Sequence, residues 1–331
     1  MTATITTPTR DESIAPGSDP VVARFVALQS QLLESYGVRA TSRFVQLRAP
    51  AIRAHLLEGG KGKPVVIFHG GDGEAVDWAP LMGPLQNHVH IYAVDRPGCG
   101  LSDPFDYRAV NLRRHAAEFV ASLLDALGLA SATLVGGSMG GFFALVGALD
   151  LPNRVDKVVL VGYPVGLTNQ IPVPLRIICG VPGMAKLFMR GRPTIDAQKK
   201  QYQRMFHVDP ATVPDLYFRT RLAGIELPSA QGTWSTLLPR VGRLRGLRPE
   251  VYLGEELHRI KAPVLVLWGD DDFAPAEVGR AATAGIPNGR FVYLPGVGHF
   301  PFLEVPGKTS ELIADFVSES RDTSPLAIRA G

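Results

Sequence analysis

Residues 134–150 read LVGGSMGGFFALVGALD. A short apolar run enters two glycine pairs that hold Ser138 between them, and a longer apolar run leaves. Short apolar segments bounded by glycine read as buried strands and longer ones as helices, so the stretch predicts a strand that turns sharply into a helix. Gly136-Gly137-Ser138-Met139-Gly140 also fits the pattern G-x-S-x-G, directly after a strand and opening a helix, where the pattern has physical meaning. A turn that lifts a serine clear of the sheet is strained and closely packed, and Gly136 and Gly140 remove Cβ atoms that would clash there. The first amides of a helix lack intrahelical acceptors, which makes Met139 N–H a donor to a developing oxyanion. A glycine-rich helix start without chemistry would look the same locally, so the rest of the chain decides.

That rest alternates in the same way. PVVIFHG (64–70), HIYAVDRPG (90–98), DKVVLVGYP (156–164), APVLVLWGD (262–270) and GRFVYLPG (289–296) read as strands, while RFVQLR and IRAHLLE alternate like an antiparallel hairpin. VVARFVALQSQLLESYG (21–37), LRRHAAEFVASLLDALG (112–128) and KTSELIADFVSES (308–320) read as helices. Such alternation predicts an α/β fold with a mostly parallel sheet. The rhythm stops between Pro164 and Glu250, where only proline-punctuated helical pieces occur, and that span is too long for a plain crossover. We therefore expect a helical insertion over 164–250 within a core of 20–163 and 251–321, with a disordered leader, 1–19, and a tail, 322–331.

Composition narrows the function classes. The 331 residues are 46% hydrophobic and 20% charged, as in ordinary globular chains. A net charge of +3 leaves no nucleic-acid footprint, and two cysteines cannot form a disulfide framework, so a reducing, cytoplasmic setting is expected. The polar N-terminus lacks a secretory h-region, and no apolar run reaches the roughly 18 residues of a membrane span. The insertion holds 13 Lys+Arg against 5 Asp+Glu. Arg240, Arg243, Arg245 and Arg248 read there as a solvated helix face, or more sharply as an attractor of an anion. Gly98-Cys99-Gly100 begins a G-x-G-x-x-G that ends in Asp103 without opening a helix, and no Walker A or metal-ligand spacing occurs. No cofactor and no metal are expected.

Serine is too weak an acid to attack a carbonyl alone and needs a base that a carboxylate orients. His115 falls in a helix pattern, His88 and His90 flank a strand, and His207 and His258 lie in polar helical pieces. His299 follows the last strand in LPGVGHFPFLEVP, on a loop able to reach over the strand ends. Asp270, Asp271 and Asp272 close the preceding strand, and at most one of them can face a single imidazole. His69-Gly70-Gly71-Asp72-Gly73 closes another strand, where glycines let backbone amides approach a ligand and His69 reads as an organiser of the loop.

In this order the motifs HGG, DRPGCGLS, GGSMGG, LWGDDDFAP and GVGHFPFLEVP resemble those of the α/β-hydrolase fold with a helical cap, over about residues 40–320. The resemblance implies an eight-stranded sheet with the cap after the sixth strand, and a triad in the chain order serine, acid, histidine. It implies Ser138 as nucleophile and His299 as base. It selects Asp272, since members with W-G-x-x-D carry the acid three residues after the glycine. It implies the amides of Gly71 and Met139 as the oxyanion hole. The expected activity is that of a cofactor-free serine hydrolase of carboxylesterase type, acting through an acyl-enzyme. The many apolar groups of the insertion, Phe206 and Trp234 among them, add the expectation of a medium or bulky hydrophobic ester. Relatives that cleave carbon–carbon bonds of ring-fission diketones, cofactor-free perhydrolases and low-turnover small-molecule receptors are the alternatives. A homo-oligomer is compatible with the chain.

Overall fold

In the computed structural model the apolar runs form one eight-stranded sheet. Its strands are β1 (Ala40–Gln46), β2 (Arg53–Gly60), β3 (Pro64–Phe68), β4 (His90–Val94), β5 (Ala132–Gly136), β6 (Val155–Val161), β7 (Val264–Gly269) and β8 (Gly289–Leu294). They lie in the order β1-β2-β4-β3-β5-β6-β7-β8. β1 pairs antiparallel with β2 and β2 with β4, and every pairing beyond β4 is parallel. The structure describes residues 19–71, 73–169, 171–188, 193–270 and 272–320. The expected leader lies outside these residues apart from Asp19, whose side chain caps the first helix through Val21 N–H at 2.8 Å. The expected tail and Asp271 lie outside them as well.

The helices are α1 (Pro20–Ser35), α2 (Ala79–Leu85), α3 (Leu112–Ala126), α4 (Met139–Asp150), α5 (Val173–Gly180), α6 (Met184–Phe188), α7 (Ile195–Met205), α8 (Asp215–Ile225), α9 (Thr233–Val241), α10 (Ala276–Ala284), α11 (Pro301–Glu304) and α12 (Pro306–Ser318). Successive strand residues point to opposite faces, so a strand covered on both sides must be apolar throughout. β3 shows this: Val66 and Phe68 pack with Phe119 of α3 and Phe142 and Phe143 of α4, while Val65 and Ile67 pack with Phe25 of α1, Leu81 of α2 and Phe316 of α12.

Helices α5 to α9 fill the chain between β6 and β7. Where the sequence suggests no strand, a small hairpin pairs Gly242–Arg243 with Gly246–Leu247. The four arginines do not form a helix face. Gly242 ends α9 in an extended conformation, so Arg243 and Arg245 leave as exposed hairpin residues, and Arg248 turns its Nε to Pro239 O at 2.6 Å.

Strand order locates the site. From β3 the chain passes to β4 on one side, and β5 then returns to the other side of β3. Loops diverge at such a reversal and leave a crevice at the carboxyl ends of the strands.

Candidate active site

Ser138 stands at this crevice, as the N-cap of α4, with φ 51° and ψ −118°. A positive φ on a residue with a Cβ costs on the order of 1–3 kcal/mol and persists where surrounding packing enforces it. Here the packing is visible: a Cβ on Gly136 would overlap the Gly140 carbonyl, and one on Gly140 would overlap the Phe68 carbonyl. The glycines thus serve close approach, and the strained dihedral falls on the serine itself. Between residues 132 and 149 Ser138 is the one residue that is not buried.

The loop after β3 passes directly beside it. A Cβ on Gly70 would stand 3.2 Å from Ser138 Cβ. Arg96 is fully buried and braces this loop, donating Nε to His69 O at 3.2 Å and Nη2 to Gly70 O at 3.1 Å and to Gly71 O. In a trans peptide the carbonyl and the next amide point in opposite directions, so Gly71 N–H faces away from the guanidinium. The Arg96 amide donates to His69 Nε2 at 2.9 Å, which leaves Nδ1–H to donate to Gly70 O at 2.9 Å. Burial and the adjacent Arg96 charge push the His69 pKa down to about 3, and the ring is a neutral organiser of the loop.

His299 lies on the loop between β8 and α11, with Nδ1 2.6 Å from Asp272 Oδ1. Asp272 also accepts from Phe273 N at 2.7 Å and from Tyr163 N at 2.6 Å. Asp270 instead accepts from Gly296 N–H and holds the turn after β8. Residues 162–165, just past β6, anchor the constellation. Tyr163 N–H holds Asp272, Gly162 packs against the His299 carbonyl, and Val165 N–H donates to Ser138 O at 2.9 Å.

The His299 ring is enclosed by aromatic groups, with Phe273 at 4.3 Å, Phe300 at 4.8 Å and Phe206 stacked at 5.6 Å. Phe206 belongs to the insertion, and its carbonyl also accepts His299 N–H at 2.9 Å. The insertion reaches the other half of the crevice through Trp234 of α9, whose ring would touch a Cβ on Gly71 at 3.4 Å. Glu304 accepts from Gly298 N at 2.9 Å and Phe300 N at 3.1 Å, and so brackets His299. Burial pushes its pKa up.

A family model described as the alpha/beta hydrolase family matches residues 65–312. The chain belongs to the alpha/beta hydrolase family. It is 30% identical to a 2-hydroxy-6-oxononadienedioate/2-hydroxy-6-oxononatrienedioate hydrolase of Paraburkholderia phymatum, over 85% of this chain and 96% of the relative. A 2-hydroxy-6-oxo-6-phenylhexa-2,4-dienoate hydrolase of Burkholderia cepacia is 32% identical, over 84% and 96%. A carboxylesterase structure from Bacillus subtilis superposes with a TM-score of 0.71 at 21% identity, covering 90% of this chain and 98% of that one, which speaks to the fold alone.

Two networks of this alpha/beta hydrolase escaped the sequence reading. Asp95 accepts from Ala75 N at 2.6 Å, Leu101 N at 2.9 Å and His55 Nδ1 at 2.7 Å, and His55 Nε2 lies 2.8 Å from Ser42 Oγ. This is a second serine–histidine–aspartate chain, but Ser42 sits within β1 rather than at a helix N-terminus. It ties the first hairpin to the loops after β3 and β4. Burial alone would raise the Asp95 pKa; the His55 contact, His69 and the Ala75 amide together outweigh it and hold the carboxyl below its ordinary value. The other network joins the insertion to the core: Arg221 of α8 donates Nη1 to Glu74 at 3.0 Å and to Asp77 at 2.9 Å, all three side chains buried. Residues scattered from 42 to 95, or from 74 to 221, leave no local pattern for a sequence to display.

Proposed function

We propose that this hydrolase cleaves a carbon–carbon bond beside a ketone, with Ser138 as nucleophile, His299 as base, Asp272 as its orienting acid, and the amides of Gly71 and Met139 as oxyanion donors. The observation that carries the catalytic assignment is the common anchoring of Ser138, Asp272 and His299 on residues 162–165. A 2-hydroxy-6-oxo-dienoate contains a ketone, an enol and a carboxylate but no ester, so its hydrolysis adds water across a carbon–carbon bond. This supports the carbon–carbon reading above the carboxylic ester that the motifs alone suggest.

The chemistry needs a leaving group that can carry an electron pair on carbon. Moving the 2-hydroxyl proton to C5 gives a 2-oxo-3-ene, which is such a sink. Ser138, giving its proton to His299, then adds to the C6 carbonyl, and the Gly71 and Met139 amides hold the resulting oxyanion. As the C5–C6 bond breaks, its electrons enter the oxo-ene, and the dienolate formed takes the proton back from His299. Water activated by His299 releases the carboxylic acid from Ser138. In this reading the helices of residues 164–250 act as a cap, and Trp234 and Phe206 supply apolar walls for the group attached at C6.

The test is an absorbance assay with 2-hydroxy-6-oxo-6-phenylhexa-2,4-dienoate, run beside short- and medium-chain p-nitrophenyl esters. We expect loss of the dienone chromophore, and a decrease of about 10⁴-fold or more in Ser138→Ala. Ester turnover with an unchanged chromophore would replace the carbon–carbon reading by the ester one. Labelling of Ser138 by a fluorophosphonate without turnover of either class would favour a binding role.

A further inference from the structure

Large apolar side chains exposed on a folded chain are normally scattered. Of the seven such side chains among the described residues, six lie on the insertion: Val173, Ile177, Val181, Leu187, Phe188 and Leu244. Val173 and Ile177 lie one turn apart on the same side of α5 and Val181 follows as its extended cap, while Cys179 on the opposite face is buried against Ala185 and Leu238. The hairpin lies against this helix, since a Cβ on Gly180 would stand 2.9 Å from Leu244 Cγ. Exposure is high, at 62% for Val173, 57% for Leu187 and 56% for Leu244. Among the described residues the exposed charges interleaved with these groups are Lys186, Arg243 and Arg245, and neither 171–188 nor 227–249 contains an Asp or Glu.

We propose that this outer face of the insertion docks on a bilayer that contains anionic lipid. Apolar side chains among cations, with no acid between them, fit the boundary of acyl chains and anionic headgroups. A second copy of the chain fits less well, because a twofold contact sets a patch against itself and would bring Lys186, Arg243 and Arg245 against their equivalents. Docking here engages the outer side of α5, whose inner side packs with Trp234 over the crevice. The proposal does not depend on which bond the site hydrolyses.

Co-sedimentation with vesicles tests it, using phosphatidylcholine alone and an equal mixture of phosphatidylcholine and phosphatidylglycerol. The wild-type chain is expected to sediment with the mixed vesicles and to remain in solution with phosphatidylcholine alone. K186Q/R243Q/R245Q should weaken partitioning on the order of 100-fold, as each cation near an anionic leaflet contributes about fivefold. L187D/F188D should abolish it. Both variants should keep the wild-type thermal unfolding, since they alter exposed groups. Absence of binding, equal binding to both vesicle types, or wild-type binding by either variant overturns the proposal. So does a wild-type dimer in light scattering that L187D/F188D dissociates while no vesicle binding occurs, which would assign the face to a second copy.

Discussion

Arg221→Met isolates the joint between the insertion and the loop that passes Ser138. Arg221 Nη1 lies 3.0 Å from Glu74 Oε2 and 2.9 Å from Asp77 Oδ2. The side chains are 8%, 3% and 9% exposed, too little for water to replace the lost partner. Removing one member of a buried ion cluster leaves charge without its counterion and costs about 3–5 kcal/mol. That is a large part of the roughly 5–15 kcal/mol that holds a domain folded. The cluster also shapes the active-site loop. Glu74 and Asp77 form a reciprocal cap on the short helix Ala75–Trp78, and Gly224 of α8 is pressed so close to Glu74 that a Cβ would overlap its carboxylate. Urea unfolding followed by tryptophan fluorescence should therefore give Arg221→Met a loss near 4 kcal/mol, with turnover falling at the same time. The triple variant R221M/E74Q/D77N removes the charges together and should recover most of that loss, because a buried ion cluster replaced as a whole is often close to neutral. A single variant within about 1 kcal/mol of wild type, or a triple variant no better than the single, would refute the reasoning.

Asp272→Asn leaves one oxygen to accept from Phe273 N–H or Tyr163 N–H but not both, and should lower turnover about 10⁴-fold by disfavouring the tautomer that His299 needs. Steady-state kinetics with an unchanged KM would be the signature. Gly140→Ala should cost about 3 kcal/mol in thermal or urea unfolding, because the new Cβ meets the rigid Phe68 carbonyl rather than a movable side chain. Acid stability should follow the buried neutral histidines. Burial, then the Arg96 charge, lowers the pKa of His69 to about 3 and of His115 to about 4, so below pH 6.5 the unfolded chain takes up protons that the folded chain refuses. Stability should fall as pH drops from 6.5 towards 4, by about 1.4 kcal/mol per pH unit for each histidine, and His115→Phe should remove one histidine's share of that slope. Glu304, its pKa raised by burial, contributes with the opposite sign, favouring the fold at low pH and losing that contribution as pH rises. Asp95, held low, keeps its contribution above the ordinary carboxylate pKa and loses it as pH falls from there through its own lowered value.

Much of the molecule was legible because its signals are local. β3 and β7 are continuous apolar runs, as burial on both faces requires, while β5 admits Thr133 and β6 carries Asp156 and Lys157 near its start, and all four were readable within three residues. α2 and α10 were not. α2 contains Pro80, Gly83 and Pro84, and α10 has Val278 as its one large apolar residue, so neither shows an apolar period, and both are held by their packing. The arginines after α9 were misread for a related reason. Their spacing suits a helix, but Gly242 extends the chain into a hairpin before the spacing can matter.

By itself the sequence determined that a serine would stand in a strand-to-helix turn, that glycines would flank it, and that His299 and an Asp-rich turn would follow later strands. These are properties of short segments, set by periodicity and by the presence or absence of a Cβ. The resemblance already selects Asp272 among the three acids, and the folded chain shows why: Asp272 rather than Asp270 faces the imidazole because of where β7 and β8 end relative to β6. Only the tertiary structure set Arg96 behind the glycine loop, Arg221 between two carboxylates, and the apolar side of α5 on the outside of the insertion. Those contacts join residues far apart in the chain, and their energies arise from burial and charge that exist only once the chain is folded.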